Sequence, residues 1–357
     1  MDGIVLLAKQ PGLTSFSSLF NVKKALNTSK VGHTGTLDSF AQGLLVVCTG
    51  RLTRLVGNIT EFDKEYKAVI SFGNETDTLE FTGNTIKESA LPSEQALISA
   101  LESFVGPQQQ VPPQFSALHV NGKRASDIAR KGGQISLPPR PIVVYKAEIT
   151  ELEKNTQGLV QACMITFRVS KGTYIRSLAR DIANKCGSSG HLIGLYRTRV
   201  GNFCIEDAAG YSLLSDFTIS GCKEAVENWK KADKVAEKDD DKATENNDDK
   251  VTEKANVKKN NQEQNLLIQK EIPAKIKAFD EETARLCGFY PLHLVDEAAE
   301  TAFRNGKPIL KSWFSEHIDG IEKDLFAVFS RNLDFCGLIE KKDKKHFSYR
   351  FVLAFSR

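Results

Sequence analysis

Between Val31 and Gly50 the chain reads VGHTGTLDSFAQGLLVVCTG, and there His33 and Asp38 stand among glycines and small residues ahead of an apolar run. Glycine lets a backbone take positive φ angles and approach a ligand closely. A carboxylate can engage a reacting centre and then leave it. Taken alone, the stretch fits a ligand-approaching loop or a plain turn. It is no Walker loop, because no Gly-Lys-Ser/Thr follows its glycines. It is no dinucleotide-binding fingerprint, because the glycine spacing is wrong and no strand–loop–helix unit encloses it. The cysteines (48, 163, 186, 204, 222, 287, 336) stand singly, odd in number and without a Cys-x-x-Cys pair. That argues against a zinc site or a disulfide framework, and for reduced thiols in a cytoplasm.

Such residues need a scaffold to hold them. MDGIVLLAKQ reads as a first strand and not as a signal peptide. KEYKAVISFG (64–73) and VQACMITFRVS (160–170) read as strands. PSEQALISALESFVG (92–106) and TYIRSLARDIANKCG (173–187) carry apolar residues at helical spacing, the second ended by Gly187. Several strand runs follow one another, which favours α+β over a doubly wound sheet. No stretch approaches the roughly 20 apolar residues that span a membrane.

With 357 residues, two domains are the natural expectation. The first, 1–218, holds the regular patterns. Residues 230–265 contain no aromatic, Leu, Ile, Gly or Pro, and about half are charged with signs nearly balanced. Such a run cannot bury enough apolar surface to offset its ordering entropy. The stretch 219–268 is therefore read as a charged, disordered linker, with a solvated helix held by acid–lysine pairs as the alternative. Beyond it, in 269–357, LFAVFSRN, FCGLIEKK and FSYRFVLAF form strand-like runs between polar turns. A small β-rich domain with one or two helices at its entry is expected there.

The net charge of +3 is unevenly placed. Residues 105–205 hold fourteen Lys or Arg against five Asp or Glu, which suits a polyanion or a merely solvated basic face.

The order Gly-His-Thr-Gly-Thr-Leu-Asp at 32–38 closely resembles the signature loop of the bacterial TruB family of pseudouridine synthases, and further blocks stand in that family's order around it. Lys9, Gly12, Thr14 and Ser15 resemble its N-terminal block. KEYKA from Lys64 and FGNETDT from Phe72 to Thr78, with Gly83, resemble the next. PPQFSAL from Pro112 to Leu118, with Gly122, Ala129, Arg130 and Arg140, resembles its insertion. SKGTYIRSLARD from Ser170 to Asp181 and HLIGLYRT from His191 to Thr198 resemble the last two. The match covers about residues 1–210, and the C-terminal unit loosely resembles a PUA-type RNA-binding domain.

The resemblance implies a pseudouridine-synthase core with a mixed, largely antiparallel sheet flanked by helices, an RNA-gripping insertion at about 108–142, and a PUA-like tail. It implies conversion of uridine-55 in the T-loop of tRNA to pseudouridine. The base is detached from its ribose, turned and rejoined through carbon. No atoms are gained or lost, so no metal, redox cofactor or ATP is called for. A soluble cytoplasmic monomer acting on tRNA, without a membrane or an obligate protein partner, is expected.

By the same resemblance Asp38 is the catalytic carboxylate and Arg176 its cationic partner, since a carboxylate ionised in a dry pocket needs one. Whether it attacks the base, attacks the sugar C1′ or removes a sugar proton stays open. Tyr66 matches the aromatic that stacks on the target base near its C5 proton. Tyr174 and Leu195 match pocket walls, and His33 matches the residue that helps displace the target nucleotide. Lys9 is placed among the substrate-binding residues. Lys123, Arg124, Arg130 and Arg140 are expected to grip RNA from the insertion, where phosphate contacts position and base contacts specify. Asp77 and Asp181 are read as structural. Departures from the family's pattern are Gln10, Ser39 in place of proline, Glu80 in place of aspartate, His119, Ser126 and Tyr196. An RNA-folding chaperone that does not need catalysis, and the same chemistry on another RNA, are the rival functions.

Overall fold

The protein, seen in a computed structural model, is described for all residues except 117, 121, 134, 242–247, 343–348 and 355–357. It opens with β1 (Gly3–Lys9), α1 (Ser15–Ala25), β2 (Val31–His33) and β3 (Gln42–Thr49). Next come α2 (Val56–Thr60), β4 (Lys64–Phe72), the paired β5 (Asn74–Thr76) and β6 (Thr85–Glu88), and α3 (Glu94–Phe104). β7 (Gly106–Gln110) precedes the short pieces β8 (His119–Val120), β9 (Lys123–Arg124) and α4 (Ala125–Ala129). These pieces occupy the expected insertion. β10 (Arg140–Lys154), β11 (Val160–Val169), α5 (Ile175–Lys185), β12 (Gly190–Val200) and β13 (Phe203–Cys204) complete the central sheet. The remainder holds α6 (Ile219–Asp241), α7 (Asp248–Lys275), α8 (Glu281–Leu286), β14 (Tyr290–His293) and α9 (Glu297–Arg304). β15 (Leu325–Phe329), β16 (Phe335–Lys341) and β17 (Tyr349–Ala354) close it.

The main sheet runs β1-β3-β12-β4-β11-β10-β7, with β2 beside β3 and β13 beside β12. Every pairing in it is antiparallel except β12 on β3. It is the mixed, largely antiparallel sheet that the family resemblance implies. β12 is the strand that joins its two halves. The junction needs a glycine: Gly43 has φ +118°, and a Cβ there would lie 2.3 Å from the Arg197 carbonyl oxygen.

Helices cover both faces. Val5, Leu7, Leu45 and Val47 pack against Leu19 and Val22 of α1 and against Ile268 and Ile272 of α7. Ala68, Ile70, Phe72, Ile165 and Phe167 pack against α3 and α5. Their alternate neighbours Val69, Ala162 and Met164 meet Ile219 and Cys222 of α6. The even numbers along β4 therefore fix one face by the two-residue period of a strand, and Tyr66 belongs to that face.

The linker expected at 219–268 is corrected. α6 and α7 occupy it on either side of 242–247, and its ends are docked: Ile219 and Ile268 are 1% and 2% exposed. Ile219, Cys222 and Val226 lie at helical spacing. The charged run of 230–265 does not reach these apolar turns. Asn265 and Gln269 of α7 also hydrogen-bond Asn21 of α1.

The C-terminal unit is a β14-β15-β16-β17 sheet with α8 and α9, β-rich and consistent with a PUA-like domain. It has a core of its own and also packs on the main sheet. Phe326 and Val328 face its own interior, whereas Ala327 and Phe329, on the other side of β15, join Ile4, Leu6, Leu44 and Val46 of the main sheet in one cluster. All seven cysteines are free thiols.

Candidate active site

β2 ends at His33 and β3 begins at Gln42, so residues 34–41 form the loop that carries Asp38. The loop is pinned along its length. Arg197 Nη2 donates to the Gly35 carbonyl at 3.1 Å. Ser15 Oγ accepts from Leu37 N at 2.8 Å and donates to Leu37 O at 3.1 Å. Gly12 N donates to Ser39 O at 2.8 Å. Lys9 Nζ donates to Ser39 O at 3.2 Å and to Ala41 O at 2.6 Å. Thr14 caps α1 by accepting from Ser17 N, which leaves the next hydroxyl, Ser15, free to hold the loop. The N-terminal block is thus a brace for the Asp38 loop. It ties the backbone on both sides of Asp38, at Leu37 and at Ser39, where proline is usual in the family the chain resembles.

Lys9 is 1% exposed and lines no cleft found next to Asp38. Its assignment to substrate binding is corrected to holding the loop. Burial pushes its ammonium down to about 7, with Asp38 pulling it back up and Arg197 pressing it further down.

Asp38 opens onto a cleft of about 740 Å³. Arg176, in the first turn of α5, places Nη2 2.9 Å from Asp38 Oδ1. The same guanidinium donates to the carbonyls of Phe115 and Thr78, at 2.9 and 3.0 Å. Its Nη1 also lies 3.8 Å from Glu80 Oε2. Two carboxylates and two carbonyls therefore share one planar fork, a task for which arginine is suited. Burial raises the Glu80 carboxyl above its usual range, while Arg176 draws it down and Asp38 pushes it up again. Arg176 is buried and Asp38 keeps 30% of its side chain exposed, so its carboxylate remains reachable from the cleft.

Tyr66, Tyr174 and Leu195 line the same cleft, as do Arg130 and Arg140. Leu195 sits opposite Ala68 in the β12–β4 register. Tyr174 immediately precedes α5, and Gln110 of β7 fixes it by accepting from its N–H at 2.8 Å and donating to its carbonyl at 3.0 Å. Burial raises the Tyr174 phenol above its ordinary range. His33 lines an adjoining cavity of about 670 Å³ that shares Asp38 and Arg176 with the first. Burial and then Arg197 depress its pKa, with the Gly35 backbone working the other way. Arg130 pairs with Asp127 at the surface. Lys123 and Arg124 fall in β9, but their side chains lie outside the described residues. Asp77 accepts from Asn84 N, and Asp181 from Arg180 Nε, and neither lines the two cavities at Asp38.

Three contributors were not singled out from sequence: Arg197, Gln110 and the clamping role of Ser15. Arg197 carried a signal, a charge within the apolar run LIGLYR, because such a side chain is buried only when paired. Gln110 carried none. Among the described residues no cluster of three His, Cys, Asp or Glu could hold a metal ion. The arrangement can hold a flat ring against two phenols and a leucine, and present it with an anionic oxygen.

The model of the TruB family pseudouridylate synthase N-terminal domain matches residues 23–175. A tRNA pseudouridine synthase B of Treponema denticola is 41% identical over 326 residues, covering 87% of this chain and 85% of that protein. One of Borreliella burgdorferi is 38% identical over 235 residues, 66% of this chain and 80% of that one. Among solved structures, one from a Cbf5-Nop10-Gar1 complex aligns with a TM-score of 0.59 at 21% identity, covering 99% of this chain and 84% of that one, a likeness of fold.

Proposed function

Because the chain belongs to the TruB family of pseudouridylate synthases, we infer how its cleft carries out that family's reaction. It is an isomerase that forms pseudouridine in tRNA. The target we assign is uridine-55 of the T-loop, which must leave the RNA fold to enter the cleft, at a cost of a few kcal/mol. Action as a monomer in the cytoplasm is part of the same proposal. No helix among the described residues is long and apolar enough to cross a membrane.

The reaction breaks the bond from N1 of uracil to C1′ of ribose and makes one from C5 to C1′. The C5 proton leaves and N1 takes one up, so atoms balance without a co-reactant. Asp38 engages the nucleotide while N1–C1′ breaks and lets go when C5–C1′ has formed. Arg176 aims Asp38 and supplies compensating charge. Tyr66 offers a ring face to the base and a phenol for the C5 proton. Tyr174 and Leu195 close the pocket around the ring. His33 faces the neighbouring cavity and takes part in displacing the nucleotide. Arg130 and Arg140, with Lys123 and Arg124, hold the RNA backbone.

The observation that carries this reading is the Asp38–Arg176 pair at the wall of a cleft shared with Tyr66, Tyr174 and Leu195. The test is incubation of the protein and its Asp38→Asn variant with unmodified tRNA, with pseudouridine mapped by carbodiimide-blocked primer extension. A stop in the T-loop is expected with the wild type alone. An unchanged T-loop uridine overturns the reading.

A further inference from the structure

α1 leaves two large aromatic side chains in solvent. Phe16 and Phe20, one turn apart, are 71% and 58% exposed. Residues four apart share a helix face, so the rings are neighbours on one side of α1, with Leu13 (37% exposed) just ahead of them. Lys23 Nζ lies 5.1 Å from the Phe16 ring centre, and Lys24 Nζ lies 5.9 Å from that of Phe20. No Asp or Glu occurs from Pro11 to Lys30.

Among the described residues no core cluster includes this face. The other side of α1 does the packing: Leu19 and Val22 enter the core, and Asn21 bonds to α7. The helix is held from behind, with its rings and lysines turned outward. Its first turn also borders the catalytic centre. Phe16 lines the cavity of about 670 Å³ to which His33, Asp38 and Arg176 contribute. The cationic, aromatic side of α1 thus starts, at Phe16, in the cavity where Asp38 is reached.

We propose that Phe16 and Phe20 form a stacking ledge for unpaired nucleotides of the RNA substrate next to the extruded uridine, with Lys23 and Lys24 on their phosphates. Rings of this kind accept any base face, and cations beside them follow the backbone. The absence of any acidic residue along the helix, and its continuity with the cavity at Asp38, favour RNA over a membrane or a second protein chain. The identity of the RNA rests on the synthase reading; the ledge itself is tested by binding.

Binding of unmodified tRNA is measured by fluorescence anisotropy in an Asp38→Asn background, so that no product forms and the result does not depend on catalysis. The Phe16→Ala/Phe20→Ala protein, its fold checked by circular dichroism, should bind about tenfold more weakly or worse. Phe16→Tyr/Phe20→Tyr should restore wild-type affinity. Lys23→Gln/Lys24→Gln should flatten the slope of log affinity against log salt by about 1.5. Ile86→Ala, an equally exposed residue elsewhere, should bind as the parent does. A double-alanine protein within twofold of the parent overturns the proposal, as does a loss that tyrosine fails to repair. If wild type binds tRNA but modifies nothing, the synthase reading fails while the ledge is judged on these affinities alone.

Discussion

Arg176 Nη2 meets Asp38 Oδ1 at 2.9 Å across 138 positions of sequence. Through its two terminal nitrogens the guanidinium addresses Asp38, Glu80 and the carbonyls of Thr78 and Phe115, while its buried Nε has no hydrogen-bond partner among the described residues. Its geometry therefore matters as much as its charge. Arg176→Lys keeps the charge and loses the fork, because an ammonium cannot address four acceptors in one plane. Single-turnover pseudouridine formation is expected to slow by about a hundredfold. A variant with near wild-type rate would show that charge alone suffices.

The Ser15 hydroxyl, both donor and acceptor to Leu37, offers a gentler test of the loop brace. Ser15→Ala leaves the Thr14 cap of α1 in place. It removes two hydrogen bonds one residue from Asp38, at a stability cost of about 1–2 kcal/mol. The rate of the chemical step should fall about tenfold through misplacement of the carboxylate. The RNA dissociation constant, read in the same titration, should shift far less. Equal losses in both would place Ser15 in the RNA interface.

Lys9 makes stability depend on pH in a direction opposite to that of an ordinary ion pair. Its folded pKa is about 7, against 10.5 for the free side chain. Between those values the unfolded chain binds the extra proton, so this residue's contribution to stability rises with pH across the window. Below about 7 both states are protonated and the burial cost is present in full. Chemical denaturation of wild type and Lys9→Met from pH 6.5 to 9.5 should show wild type gaining on the variant as pH increases. A constant difference would mean that Lys9 does not lose its proton there.

The elements around the site could be read from the chain because their signals are local. Residues 64–73 read as a strand and 173–187 as a helix, and β4 and α5 stand there; the places of Tyr66 and Arg176 in the site came from the family resemblance. What could not be read depends on pairing between distant segments. Nothing near Arg197 says that its guanidinium will hold Gly35, or that Gln110 will clasp Tyr174. Lys9 was misassigned for the same reason, since the carbonyls that bury it lie 30 and 32 residues away. The ends of the charged segment differ for another cause: the charged composition belongs to 230–265, and the few spaced apolar residues that dock α6 and α7 lie just outside it.

β12 lies between β3 and β4, the strand that welds the two halves of the sheet. Before residues 190–200 emerge from the ribosome, β1–β3 and β4–β11–β10–β7 have no edge in common. The nascent chain then carries two unfinished sheets with Asp38 on one and Tyr66 on the other. Synthesis of that single strand brings Leu195 and Arg197 into place and closes the sheet in the same event. Catalytic competence should therefore arrive late and all at once during translation, and a product stopped short of residue 200 should be inert however well its first half has condensed.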